Sequence, residues 1–154
     1  ESCRDETLRR IHRGHDFACS QHALWQLHAR NIECGAHLIF GLPGESPDQW
    51  LEDVRKVNAL PMQHIKFHQL QIIKGTAMEQ EYLSHPEDFH HFTFEGYVTF
   101  LAEHLSHLNP AFAVERLASA VPPPHHPPTR RARHKNGPPA QAPHDPPPRP
   151  AGTA

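Results

Sequence analysis

The sequence predicts an α/β protein built on a parallel sheet, and three observations carry that expectation. Two apolar runs, within "AHLIFGL" and "HIKFHQLQII", are bounded by turn residues; each is followed by a segment whose apolar residues recur at helical spacing; the connections are a few residues long. Strand, helix, strand, helix with short links is the pattern of right-handed βαβ units. Two or three strands neither close a barrel nor complete a doubly wound sheet, and their edges would stay open. The expected object is therefore a portion of a larger α/β domain.

Along the chain, Asp5 is placed to cap a first helix carrying Leu8 and Ile11 on one face, and Gly14 closes the turn after it. Asp16 is placed to cap a second helix, about 17–30, with Phe17, Leu24 and Leu27 inward. The run from Ala36 to Leu42 predicts a strand, and because it is nearly continuous rather than alternating, both of its faces are expected to be buried. Pro43 and Gly44 end it. Ser46 with Pro47 opens a third helix that turns Trp50, Leu51, Val54 and Val57 inward. "HIKFHQLQIIKGT" predicts a second strand ended by Gly75, followed by a short helix (77–83) and a longer one (94–108) capped by Thr93. "AFAVERLA" is a candidate closing strand. From Pro122 on, the chain holds twelve of its seventeen prolines and no large apolar residue, a composition expected to stay disordered with polyproline stretches. Residues 1–121 and 122–154 are thus read as a body, expected to be truncated at its N-terminus, and a tail.

The net charge of -2 hides an asymmetry: the tail from Pro122 carries five Lys and Arg against one acid, leaving the body with ten against sixteen. An acidic body disfavours nucleic acid as a partner, because backbone affinity rests on clustered cations. No apolar run reaches the roughly 20 residues of a membrane helix, no export signal is visible, and a cytoplasmic setting is the expectation. Cys3, Cys19 and Cys34 are some fifteen residues apart and read as free thiols.

In parallel α/β sheets ligands bind outside the carboxyl ends of the strands. Those ends here are Glu1-Ser2, Gly41 to Glu45, and Gln69 to Gly75. The turn "GLPGE" lacks both GxGxxG spacing and a P-loop ending, which disfavours nucleoside triphosphate chemistry. Its small residues instead admit close approach of a group such as a flat ring, unless it is only a tight strand-to-helix turn.

"ESCRDETLRRIHRGH", "HLIFGLPGES" and "IKFHQLQIIKGTAMEQEY", in this order, resemble the C-terminal half of a radical SAM protein of the YhcC-like group, related to the oxygen-independent coproporphyrinogen oxidases and Elp3 enzymes. The resemblance covers about residues 1–123. It implies the C-terminal portion of a partial (βα)6 TIM-type barrel that, when intact, holds a 4Fe-4S cluster and S-adenosylmethionine (SAM) and generates a 5′-deoxyadenosyl radical for an unknown substrate, with an electron donor as partner. By position, Glu1 and Ser2 fall at the end of the fourth strand, near the SAM amino-acid or ribose part. Arg13 falls where an arginine pairs with the SAM carboxylate, a role that suits a bidentate guanidinium. His37 falls where relatives carry a ribose-binding Asp. Ile39 and Gly41 fall beside adenine, and Leu70 and Gln71 at the sixth-strand edge of the nucleoside.

The family's CxxxCxxC, whose three thiolates converge on one cluster, does not occur in this sequence. This chain is therefore expected to hold no cluster and to be inactive by itself. The competing class is a non-catalytic α/β binding fragment with a proline-rich interaction tail. His104 and His107, at i,i+3, are weighed as a metal pair against a solvated helix face, which is favoured. Glu45 is weighed as a general base against an acid that favours the helix dipole, and Lys74 as a substrate contact against an exposed turn lysine.

Overall fold

The computed structural model describes residues 1–118, so the expected tail from Pro122 lies outside the described residues. The chain order is α1 (Asp5–Arg10), α2 (Phe17–His28), β1 (Gly35–Phe40), α3 (Pro47–Val57), β2 (His64–Gln69), α4 (Ala77–Ser84), a 3-10 turn (Pro86–Asp88), α5 (Phe94–Ser106) and β3 (Ala113–Arg116). The strands form a parallel sheet in the order β1-β2-β3. It is an open α/β sheet.

Helix starts follow their local chemistry. The Asp16 carboxylate accepts from the Cys19 N–H at 2.8 Å, the Thr93 hydroxyl accepts from Gly96 at 3.0 Å, and Gln49 reaches back to the Ser46 N–H at 2.9 Å ahead of Pro47. Asp5 departs from expectation. It is the first residue of α1 rather than its cap, and its carboxylate accepts from the Phe17 N–H at 2.8 Å, tying α1 to the start of α2.

The sheet corrects the expectation that β1 is buried on both faces. Leu38 and Phe40 are buried, while His37 is exposed and Ile39 half-buried; in β2, Ile65 and Phe67 are buried while Lys66 and His68 are half-buried. Register pairs Leu38 with Phe67 and Ile39 with His68, so alternation sends one set of side chains to each face. The buried face meets Trp50, Val54 and Val57 of α3 and Tyr97, Phe100 and Leu101 of α5 in one core. The other face is open and polar.

α2 buries none of its residues; Phe17 and Leu24 pack half-buried against the core. Leu51 is also only half-buried, and the inward position it was expected to share is taken by Asp53. β2 ends at Gln69, earlier than expected, and Ile72 joins a separate small cluster with Tyr82 and Phe89. Arg10 ties α1 to this region through ion pairs with Glu81, at 2.5 Å, and with Asp88.

His104 is a further correction. Its ring is buried at 2 % exposure against Phe100 (centroids 3.8 Å apart) and Phe40, and Nδ1 faces the Phe100 carbonyl at 2.8 Å, whereas His107 is exposed. The pair is therefore neither a metal site nor a solvated face, because one member is core.

Candidate functional site

Glu1 lies beside β1 as a strand residue would. Its carbonyl accepts from the Ile39 N–H at 2.8 Å and its backbone nitrogen donates to the His37 carbonyl at 2.9 Å, the alternation of a parallel ladder. This brings Glu1 level with the carboxyl half of β1, and a cleft of about 250 Å³ opens there, lined by Glu1, His37, Ile39, His68, Leu70 and Gln71, with Gln69 beside them. A second cleft of about 500 Å³ runs between β1 and α2 and takes in Glu1, Ser2, Arg13 and His37. Glu1 and His37 belong to both.

Arg13 holds the Glu1 carboxylate through Nε at 2.5 Å, with both side chains partly exposed. The guanidinium thus already engages a carboxylate at the mouth of the cleft. The His37 ring stacks on His68, with centroids 5.4 Å apart and planes 26° from parallel. Burial first, then the Lys66 ammonium, pushes the His37 pKa below its ordinary value. For His68, burial is again the leading cause, followed by His37, Arg116 and Lys66, all acting in the same direction. Both rings are held in the neutral form near neutral pH.

Ser2 and Gly41 are placed differently from the other expected site residues. Ser2 is buried, and its hydroxyl donates to Glu45 at 2.5 Å. Gly41 has φ +91°, and a Cβ there would stand 3.1 Å from the His90 carbonyl, so the space its missing side chain leaves is filled by this chain's own backbone. Glu45, at the start of α3, is not an exposed base: it is buried and accepts from Ser2 at 2.5 Å and from the Trp50 indole N–H at 2.8 Å. Burial raises its pKa, and hydrogen bonds from Ser2, Thr7 and Trp50 oppose the rise. Lys74 is exposed.

Two residues of this region were not singled out in the sequence. Asp53 is 2 % exposed; it accepts from the Cys3 N–H at 2.9 Å, with Arg4 Nε at 3.7 Å and Lys56 Nζ at 3.6 Å. Burial raises its pKa, and the Cys3 hydrogen bond works against that. His68 alternates with Phe67 and so faces the open side, which period-2 reading of β2 could have found.

The thiols do not suit a cluster. Cys3 is buried, with its pKa pushed up to about 12 by burial and then by Asp53; Cys19 is exposed and Cys34 half-buried. Among the described residues no three His, Cys, Asp or Glu side chains gather as a metal set, and no helix is long and apolar enough to cross a membrane.

The fold is a parallel α/β sheet with a cleft at the strand carboxyl ends, and residues 62–136 match the radical SAM C-terminal domain family. That match gives residues 62–136 as similar to a radical SAM C-terminal domain, and the chain is related to YhcC-type proteins. It is 32% identical over 121 residues to protein YhcC of Escherichia coli K12, covering 79% of this chain and 38% of that protein. It is 30% identical over 122 residues to the uncharacterized protein YtqA of Bacillus subtilis, covering 79% and 37%. The chain thus spans less than two fifths of the length of these relatives. In fold, it resembles an N-terminally deleted Elp3 of Methanocaldococcus infernus, with a TM-score of 0.72 at 18% identity, over 81% of this chain and 30% of that one.

Proposed function

We propose that this chain is the C-terminal part of a radical SAM enzyme of partial TIM-barrel type, and that it supplies the wall on which the nucleoside and amino-acid parts of SAM rest. The observation that carries this reading is the cleft at the carboxyl ends of β1 and β2, where Glu1, His37, Ile39, Leu70 and Gln71 converge from three separate stretches of sequence. Ile39 and Leu70 offer apolar contact to a flat ring, and His37 offers hydrogen bonding to ribose hydroxyls. Arg13 binds the amino-acid carboxylate, exchanging its present partner Glu1 for it. Ser2 contributes by holding the Glu1 backbone in place through Glu45, and Gly41 by letting the 90–92 segment close behind the cleft.

The 4Fe-4S cluster does not fit this chain, whose three cysteines are scattered and one of which is a buried thiol. In the intact enzyme the cluster ligands and the electron donor come from outside these residues, and together with SAM they supply the 5′-deoxyadenosyl radical. The setting is cytoplasmic. The missing thiolates favour a second reading, a non-catalytic α/β binding fragment. The two separate in calorimetry with S-adenosylhomocysteine, a SAM analogue that needs no cluster to remain intact. Binding that Arg13→Ala weakens about tenfold, the worth of one charge-assisted bond, is expected from the first reading, and absence of binding contradicts it.

A further inference from the structure

The open face of the sheet carries a feature that the cofactor reading does not use. His68 lines the cleft half-buried, stacked on His37, and its Nε2 is closed to water and has no hydrogen-bond partner. A ring nitrogen stripped of water without a partner is unfavourable until some group satisfies it. The fixed cations that bear on this imidazole are Arg116 and Lys66. The acids of the same face are engaged elsewhere: Glu115 with Lys66 at 2.6 Å and with His64 at 3.3 Å, and Glu1 with Arg13. A stacked imidazole pair among fixed cations, with a partnerless ring nitrogen, is suited to an acceptor that carries negative charge.

We propose that His68 is a ligand-binding residue for the substrate, and that the substrate presents an anionic group, a carboxylate or phosphate, to the His37–His68 pair. This inference rests on the cofactor reading, which gives Glu1, His37, Ile39, Leu70 and Gln71 to SAM and leaves His68 without a role, so that the second molecule meets the cofactor at the His37–His68 stack. No bond is made or broken in it. The anion accepts from an imidazole N–H, and the imidazole takes up a proton from solvent as the complex forms.

The test is an NMR titration of the histidine rings of this chain against pH, alone and with inorganic phosphate or acetate, and in a second arm with S-adenosylhomocysteine present. The expected result is that either anion raises the His68 midpoint by about one pH unit, that His68→Gln removes the response of His37 to the anion, and that S-adenosylhomocysteine shifts the Ile39 and Leu70 amides without abolishing the anion effect. A His68 midpoint that stays fixed as the anion is added overturns the proposal, whether or not S-adenosylhomocysteine binds. An anion effect that S-adenosylhomocysteine abolishes overturns it too, because the anion would then occupy the place of the cofactor's own carboxylate. An anion response of equal size in His68→Gln shows an adventitious ion only, and also overturns it. Failure of the cofactor reading is seen separately, as unmoved Ile39 and Leu70 amides.

Discussion

Replacing His104 by leucine is expected to stabilise this protein, although it deletes a hydrogen-bonded residue from the core. The ring is 2 % exposed; Nδ1 meets the Phe100 carbonyl, which lies four residues back along α5, while Nε2 has no partner. A buried polar atom left unsatisfied costs about 1–3 kcal/mol, and a made hydrogen bond contributes about 1 kcal/mol net. Leucine removes both terms and keeps the volume close, a kind of exchange that costs less than about 1.5 kcal/mol. With the exchange cost at the low end of that range, the balance favours His104→Leu by about 1 kcal/mol at pH 7. Lower pH widens the gap. Burial is the leading cause that depresses the His104 pKa, with the Phe100 carbonyl opposing it. Folded, this group therefore holds fewer protons than it does unfolded, where its pKa is about 6.5. Its contribution is intact above that value and is lost as the pH falls through it toward the folded-state pKa. Urea unfolding of both proteins at pH 7.5 and 5.5 measures this. A variant less stable than the parent by more than about 1 kcal/mol at both pH values would refute the reasoning, since it would mean that the Nδ1 bond outweighs the orphaned Nε2.

Other consequences follow from the same geometry. Asp53→Ala strands the Cys3 N–H and should cost about 1–3 kcal/mol in urea unfolding, whereas Asp53→Asn, which keeps an acceptor, should cost less than half of that. Mass-spectrometric labelling with iodoacetamide at pH 8 should modify Cys19 and leave Cys3 untouched, because the Cys3 thiol is buried and titrates near 12. Arg13→Ala should change unfolding stability by less than about 0.5 kcal/mol, as expected of an exposed ion pair; a larger loss would assign Arg13 a structural role.

The strands, the helix order and several of the caps were legible because each rests on local chemistry: Asp16, Thr93 and Ser46 do at their helix starts what their side chains dictate. What sequence could not reveal is tertiary. Residue type marks Asp53 and Glu52 alike as helix acids, and His104 and His107 alike as helix histidines; packing against the Cys3 backbone and against Phe40 separates them. The β1 run was misread because Ile39 and Phe40 are equally apolar, and only pairing with β2 shows that they face opposite ways. At the cleft, residue-by-residue resemblance pointed to Glu1, His37, Ile39, Leu70 and Gln71, which the fold brings together. It could not foresee that Ser2 and Gly41 would be engaged by this chain's own Glu45 and His90.

The most direct test of the central claim is an anaerobic turnover assay on the product of the complete reading frame that contains this sequence, reconstituted with iron and sulfide and supplied with a reductant and SAM. Formation of 5′-deoxyadenosine, lowered at least tenfold by Arg13→Ala, is the result expected if this cleft is the SAM wall of a radical SAM enzyme. A reconstituted protein that holds a cluster yet leaves SAM intact, or one that cleaves SAM equally well without Arg13, would contradict it.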